Sequence, residues 1–426
     1  MSNPDREAQE NVHDGTEAHP EDAETAVTPS TTVRVAQVQG PTLPVQWTQM
    51  GNIPPTAQLR YPGDVMELDV NDTEIIIVGT TGQKITKIGE DFSASMNPNL
   101  SQLVLRSQLI RVMEGLEHFV QLDLLELYDN QVEELACLGD GEDGAPGKTL
   151  RVLDMSYNVI RDMQPVMFCP NLQELYLANN KLRNMAGLGS LTKLRKIDLG
   201  ANRIREMDAA ELAPLVHLEE LWLGKNKIER IEGLSTLKKL RRLDIQSNRL
   251  TQVENLTSQT ETLEELYLAH NGIATEGTIL PSGLGQTFEL LNVLDLSRNR
   301  LTQVNQLGHL KSLEELWLSG NKIATFDDVQ NLSSLGESLQ TVYLEYNPLQ
   351  EDPLYRKKLA ELIPSLSQID ATLIGGLGRV GAASGGGGGV VESEEARVRR
   401  LQDIVVARAQ AETDQKKVEW EAEENK

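Results

Sequence analysis

The chain has 426 residues, with 64 Asp and Glu against 40 Lys and Arg and a formal charge of −24. That balance argues against a nucleic-acid binder, since no basic stripe is visible along the chain to release counterions, and it favours partners carrying basic patches. No apolar run approaches the ~18 residues of a membrane span, the polar acidic start has no signal-peptide core, and Cys137 and Cys169 are too few for the disulfide caps of extracellular repeat proteins.

Residues 1–57 are acidic, rich in Pro, Thr and Glu and poor in large apolar groups, a composition that predicts disorder. Within them Pro44-Val45-Gln46-Trp47 has the outline of a Val-x-aromatic docking peptide. It lacks a preceding basic residue and reads as coincidence. Residues 58–99 are more apolar (Glu74-Ile75-Ile76-Ile77-Val78, then Ile85 and Ile88) and read as a partial repeat capping the first edge of a stack.

Residues 100–349 carry the dominant pattern. Leu172-Gln173-Glu174-Leu175-Tyr176-Leu177-Ala178-Asn179-Asn180-Lys181-Leu182 is one copy of L-x-x-L-x-L-x-x-N-x-L/I, the leucine-rich repeat. The ninth position falls at Gln108, Asn130, Asn158, Asn180, Asn202, Asn226, Asn248, Asn271, Asn299, Asn321 and Asn347, most often 22 residues apart, giving eleven units of which the first is degenerate. The L-x-L segment has a strand's period of two, so both Leu face a core that no single repeat can close alone. Asn past the strand can satisfy turn backbone with its side-chain amide. The fold class expected is an α/β leucine-rich-repeat solenoid, with a curved parallel sheet on the concave face, short helices or 3₁₀ turns on the convex side, and end caps. Residues 350–374 read as a C-terminal cap containing a short helix, 375–389 as a Gly-rich linker, and 390–426 as a charged helical tail with one weak apolar stripe.

Function is sought between the Leu residues. The x of L-x-L reads Glu126, Asp154, Tyr176, Asp198, Trp222, Asp244, Tyr267, Asp295, Trp317, Tyr343, with acid and ring alternating from Asp154 to Trp317. Two residues earlier the aromatic repeats carry Glu174, Glu220, Glu265 and Glu315. At ~4.8 Å per strand these positions would form an arc of roughly 48 Å, with rings as anchors and carboxylates pairing with Lys or Arg of a partner. The bland alternative is that strands favour aromatics and that the acids merely neutralise Lys196 and Arg242. β-propensity gives no reason for rings in every second repeat. The face is expected to be open and wet, without burial to shift carboxylate pKa values.

The stretch from Glu74 to Ile374 resembles the leucine-rich-repeat regulatory subunits of protein phosphatase 1, the family of regulatory subunit seven. Its most specific piece is the end cap, running from Leu339 through Tyr343-Leu-Glu-Tyr-Asn347 and Asp352-Pro-Leu-Tyr-Arg-Lys-Lys358 to Pro364 and Gln368-Ile-Asp-Ala-Thr372. Leu125-Glu-Leu-Tyr-Asp-Asn130, Leu223-Gly-Lys-Asn-Lys227 and Gln246-Ser-Asn-Arg-Leu250 add to it. The resemblance implies a non-catalytic regulator in nucleus and cytoplasm that grips the phosphatase catalytic subunit with its concave face, often beside a second inhibitory subunit. It places partner contacts at Asp154, Tyr176, Asp198, Trp222, Asp295, Glu315, Trp317 and Tyr343. The insertions after Asn130 and Asn271, the linker and the tail depart from the family pattern. Outside the family, the alternative is a repeat scaffold for a cytoskeletal, ciliary or spliceosomal partner.

Nothing points to catalysis, a cofactor or a metal. Gly144-Ala-Pro-Gly-Lys-Thr149 mimics a phosphate-binding loop, but Glu142 stands where its first Gly belongs and the segment leads into a strand, so a nucleotide hydrolase using Lys148 is set aside. The six His are scattered without ligand spacing.

Overall fold

The computed structural model describes residues 73–78, 83–94, 96–139, 146–274 and 288–374, with short strand segments at 47–49, 60–61 and 64–65. Most of the acidic head, the Gly-rich linker, the charged tail and both loop insertions, including Glu142 to Ala145, lie outside the described residues.

One 14-stranded sheet organises the repeats. Its strands in chain order are β1 Glu74–Val78, β2 Gln102–Arg106, β3 Leu124–Glu126, β4 Val152–Asp154, β5 Glu174–Tyr176, β6 Lys196–Asp198 and β7 Glu220–Trp222. There follow β8 Arg242–Asp244, β9 Glu265–Tyr267, β10 Val293–Asp295, β11 Glu315–Trp317, β12 Thr341–Tyr343, β13 Gln368–Ile369 and β14 Thr372–Leu373. Each strand pairs in parallel with the next, except that β14 turns back antiparallel on β13. The return paths are mostly 3₁₀ turns, such as Gln164–Phe168 and Leu188–Ser190, with an α-turn at Ala209–Leu212. Sequential strands placed side by side with short crossovers are the expected solenoid architecture.

The central Leu of L-x-L sets the register. Leu125, Leu153, Leu175, Ile197, Leu221, Leu243, Leu266, Leu294, Leu316, Val342 and Ile369 lie opposite one another and are completely buried. Burial of each such side chain stabilises the fold by about 1.5–3 kcal/mol. A slip of one residue would expose the whole file, which is why so short a strand still has one register.

The ninth-position Asn residues form a second, polar spine. Asn180 Nδ2 donates to the carbonyls of Met155 (2.9 Å) in the previous repeat and Leu177 (3.1 Å) in its own, while Oδ1 accepts from the Ile160 N–H (3.0 Å). The same bonds recur from Asn130 to Asn347. Gln108 takes the Asn role in the first unit, its Oε1 accepting from Ile85 N at 3.1 Å. At the other end Asp370 accepts from the N–H groups of Leu344 (2.8 Å) and Glu345 (3.0 Å) and from the Tyr355 hydroxyl (3.1 Å). Tyr355 opens the helix Tyr355–Leu362, which forms within the stretch read as a cap and buries Leu359 against the last turn.

The turn that presents each Asn has a feature the motif did not reveal. The preceding residue is left-handed throughout, as at Asp129, Tyr157, Asn179, Ala201, Lys225, Ser247, His270, Arg298 and Tyr346, and only Gly320 among them is glycine. Each non-glycine residue in that conformation costs about 1 kcal/mol, which the buried Asn bonds offset.

Asn202→Ala would leave the Leu182 N–H and the carbonyls of Leu177 and Leu199 without the Asn202 partner. The expected loss is about 2–4 kcal/mol, read as a lower urea midpoint. Asn184→Ala, at an exposed turn, should leave that midpoint nearly unchanged.

Candidate partner-binding face

Strand pairing places the intervening positions in one file on the sheet's outer face. Glu126, Asp154, Tyr176, Asp198, Trp222, Asp244, Tyr267, Asp295, Trp317 and Tyr343 are each the direct lateral neighbour of the next. A parallel file two residues earlier runs Glu174, Lys196, Glu220, Arg242, Glu265, Val293, Glu315, Thr341. All eight candidate contact residues therefore fall on this face, within β4 to β12.

Their exposure is uneven. Tyr176, Trp222, Tyr267 and Trp317 are half-buried, as rings lying along a sheet surface should be. Tyr343 departs from the expectation of an exposed anchor, being only 4% exposed. Trp317 covers it, with ring centroids 4.7 Å apart and planes tilted by 31°, and Gln368 Nε2 donates to its hydroxyl at 2.6 Å. The strand after β12 supplies that amide, so the last ring of the file is closed over by the end of the stack.

The carboxylates also have work within the fold. Asp154, Asp198, Asp244 and Asp295 each accept through Oδ1 from the backbone N–H two residues on, at Ser156, Gly200, Gln246 and Ser297, over 2.8–2.9 Å. Acids in this file thus hold the turn that leads to the Asn spine. They are also half-buried, which corrects the expectation of an unperturbed wet face. Burial raises the Asp154 and Asp198 carboxyls above the usual carboxylate range and pushes Asp244 up to about 6. The Tyr176 and Tyr267 hydroxyls are raised by burial and by Glu174 and Glu265, to which they donate at 2.7 and 2.6 Å.

In the second file, neutralisation does occur around Arg242. Its guanidinium donates to both carboxylate oxygens of Glu265 (2.9 and 2.7 Å), reaches Glu220 (3.3 Å) and sits 5.8 Å from the centre of the Trp222 ring. Lys196 pairs with the other oxygen of Glu220 at 3.4 Å. Arg242 therefore positions Trp222 and two carboxylates together. Neutralisation of Lys196 and Arg242 was the alternative legible in the sequence; the stacking of Arg242 on Trp222 was not, because Arg242 and Trp222 are twenty residues apart. Beside it a shallow cleft of about 210 Å³ is lined in part by Glu265, Val293, Glu314 and Glu315. Sequence reading also passed over Tyr128 and Tyr157, whose rings meet at 4.9 Å on the rim beyond β3 and β4.

No grouping of His, Cys, Asp and Glu suited to a metal ion occurs among the described residues. The Pro146–Lys148 remnant of the phosphate-loop mimic is a 3₁₀ turn running into β4. No helix among the described residues is long and apolar enough to cross a membrane.

Comparison with known proteins agrees with this geometry. A family model for leucine-rich repeats in two copies matches residues 148–188, 170–212, 216–258 and 289–334, and a single-repeat model matches 261–279. The chain is a leucine-rich-repeat solenoid. A solved leucine-rich-repeat protein of Leptospira interrogans superposes with a TM-score of 0.56 at 25% identity, covering 67% of this chain and 69% of that one. Among curated proteins, the repeats are 42% identical over 73 residues to a protein phosphatase 1 regulatory subunit of Schizosaccharomyces pombe, covering 17% of this chain and 22% of the relative. They are 33% identical over 184 residues to a homolog of a protein phosphatase 1 regulatory inhibitor subunit from Arabidopsis thaliana, covering 42% of this chain and 53% of the relative. The matched stretches thus span about a fifth to a half of those proteins' lengths. The family resemblance read from the sequence is found again in these relatives.

The raised pKa of Asp244 has a sign. Its folded value of about 6 lies above the ordinary 3.8, so the stability it contributes is complete below the unfolded value and is lost as pH rises through 6. Asp244→Asn keeps the oxygen that accepts from Gln246 N and removes the buried charge. It should raise stability at pH 7 by about 1–2 kcal/mol and flatten the profile between pH 4 and 6, measured as urea midpoint against pH.

Proposed function

We propose that these repeats form a regulatory, non-catalytic subunit that binds the catalytic subunit of protein phosphatase 1 through the outer face of the sheet and controls its activity, maturation or location. The observation that carries this reading is the unbroken lateral file from Asp154 to Trp317, in which carboxylate and ring alternate on adjacent strands. Two relatives whose names describe phosphatase 1 regulatory subunits support the choice of partner.

In this reading Tyr176, Trp222 and Trp317 are the apolar anchors. Already half-buried and held by neighbouring side chains, they lose little rotamer freedom on binding. Tyr343 acts from behind, as the support that fixes Trp317. Asp154, Asp198, Asp295 and Glu315 offer carboxylates to Lys or Arg of the phosphatase, and such pairs set register and association rate. The turn bonds through Oδ1 fix the direction in which the three Asp carboxylates are presented. Arg242 orders Trp222 and keeps the centre of the face from accumulating unbalanced charge. A second inhibitory subunit bound alongside, and residence in both nucleus and cytoplasm, belong to the same proposal.

Trp222→Ala with Trp317→Ala should abolish recovery of the phosphatase catalytic subunit in a pull-down. Trp222→Ala alone should weaken binding by about tenfold or more, with the thermal transition retained as the check on folding. Undiminished capture by a folded double variant would remove the assignment. Co-purification of a different principal partner would favour a repeat scaffold instead.

A further inference from the structure

The fold assembles a feature that the linear charge pattern conceals. The residue after each spine Asn donates its backbone N–H to a carbonyl of the previous repeat, as in Lys181 to Ile160, Arg203 to Leu182 and Lys227 to Ile204, all at 2.8–2.9 Å. These residues are thereby stacked in register along the turn edge. Ile160, Leu182 and Ile204 are buried, so the residues flanking each of them point out. Arg161, Lys181, Arg183, Arg203, Arg205 and Lys227 consequently gather on one edge of β4 to β7. None of the six is ion-paired among the described residues.

The opposite edge is arranged differently. There Arg151 is bonded to Asp123, Arg195 to Glu219 at 2.9 Å and Arg241 to Glu264 at 2.8 Å, each acid being supplied by an adjacent repeat. The acids near the turn edge are Glu133, which follows buried Val132 as Arg161 follows buried Ile160, and Asp162, Glu206 and Glu229. Asp162 is engaged by Gln164 N at 2.9 Å and Glu229 by Arg249 at 3.7 Å. Six cations outnumber these four acids, of which Glu229 is already paired with Arg249, so the edge is locally basic on a chain of net charge −24.

We propose that this turn edge is a docking site for an acidic peptide segment of a partner protein, separate from the sheet face. From Arg161 to Lys227 the patch crosses three strand spacings, roughly 14 Å, which four or five extended residues at ~3.3 Å each would cover. Within a Debye length of ~8 Å a short acidic segment feels these cations. A long polyphosphate would run beyond them into the field of an acidic molecule. None of the positions flanking Ile160, Leu182 and Ile204 carries a ring on which a base could stack. No basic stripe is legible along the chain; the edge supplies a short one, and its chemistry favours carboxylates.

The test is fluorescence anisotropy on the full chain with a labelled oligo-glutamate peptide and, separately, labelled oligo-thymidylate. The glutamate peptide should bind at about 50 mM salt and weaken roughly tenfold by about 200 mM. Arg183→Glu with Arg203→Glu should weaken it by at least the same factor, and Arg195→Glu with Arg241→Glu on the other edge should not. Absence of peptide binding, equal loss in both double variants, or tighter binding of oligo-thymidylate would each overturn the proposal. Capture of the phosphatase by the Arg183 and Arg203 variant reports separately on the sheet face.

Discussion

Each spine Asn makes the backbone of one repeat depend on a side chain of the next. A strand of three residues cannot hold a register through its own few ladder bonds, and a turn with buried carbonyls and N–H groups would be costly if they went unpaired. One amide, donating to two carbonyls and accepting from one N–H, answers both requirements at once. It also compels the residue before it to take a left-handed conformation, even where that residue is Tyr157 or Arg298. The fixed turn is what aligns every other file of side chains across the stack.

Two surfaces of different character follow from that alignment. On the sheet face, carboxylates alternate with rings, and burial raises the Asp154, Asp198 and Asp244 pKa values. On the turn edge the residue after Asn repeats as a cation. The acids of the sheet face are tied to turns and its central Trp222 lies under Arg242. Rings and carboxylates held in this way would lose less entropy on association with a partner.

The ends show what the spine needs in order to stop. Gln108 begins it with a longer amide that still reaches Ile85 N, and Asp370 finishes it with acceptors alone, since no further repeat offers carbonyls to satisfy. The Tyr355 hydroxyl then occupies the remaining oxygen of Asp370 from the closing helix. The same closure buries Tyr343, so a position that alternation assigned to the open face becomes part of its foundation.

The repeat, the direction in which each Leu faces, the degenerate first unit and the file of acids and rings were all legible along the chain. These depend on local period and on spacing along the chain, and period survives without knowledge of neighbours. How far each of those side chains is exposed, that Arg242 clamps Glu220 and Glu265, and that scattered cations meet along one edge emerge only when the repeats stack. Those outcomes belong to contacts between residues more than twenty apart, where burial, pairing and local field are set by the adjacent repeat and not by the residue's own segment.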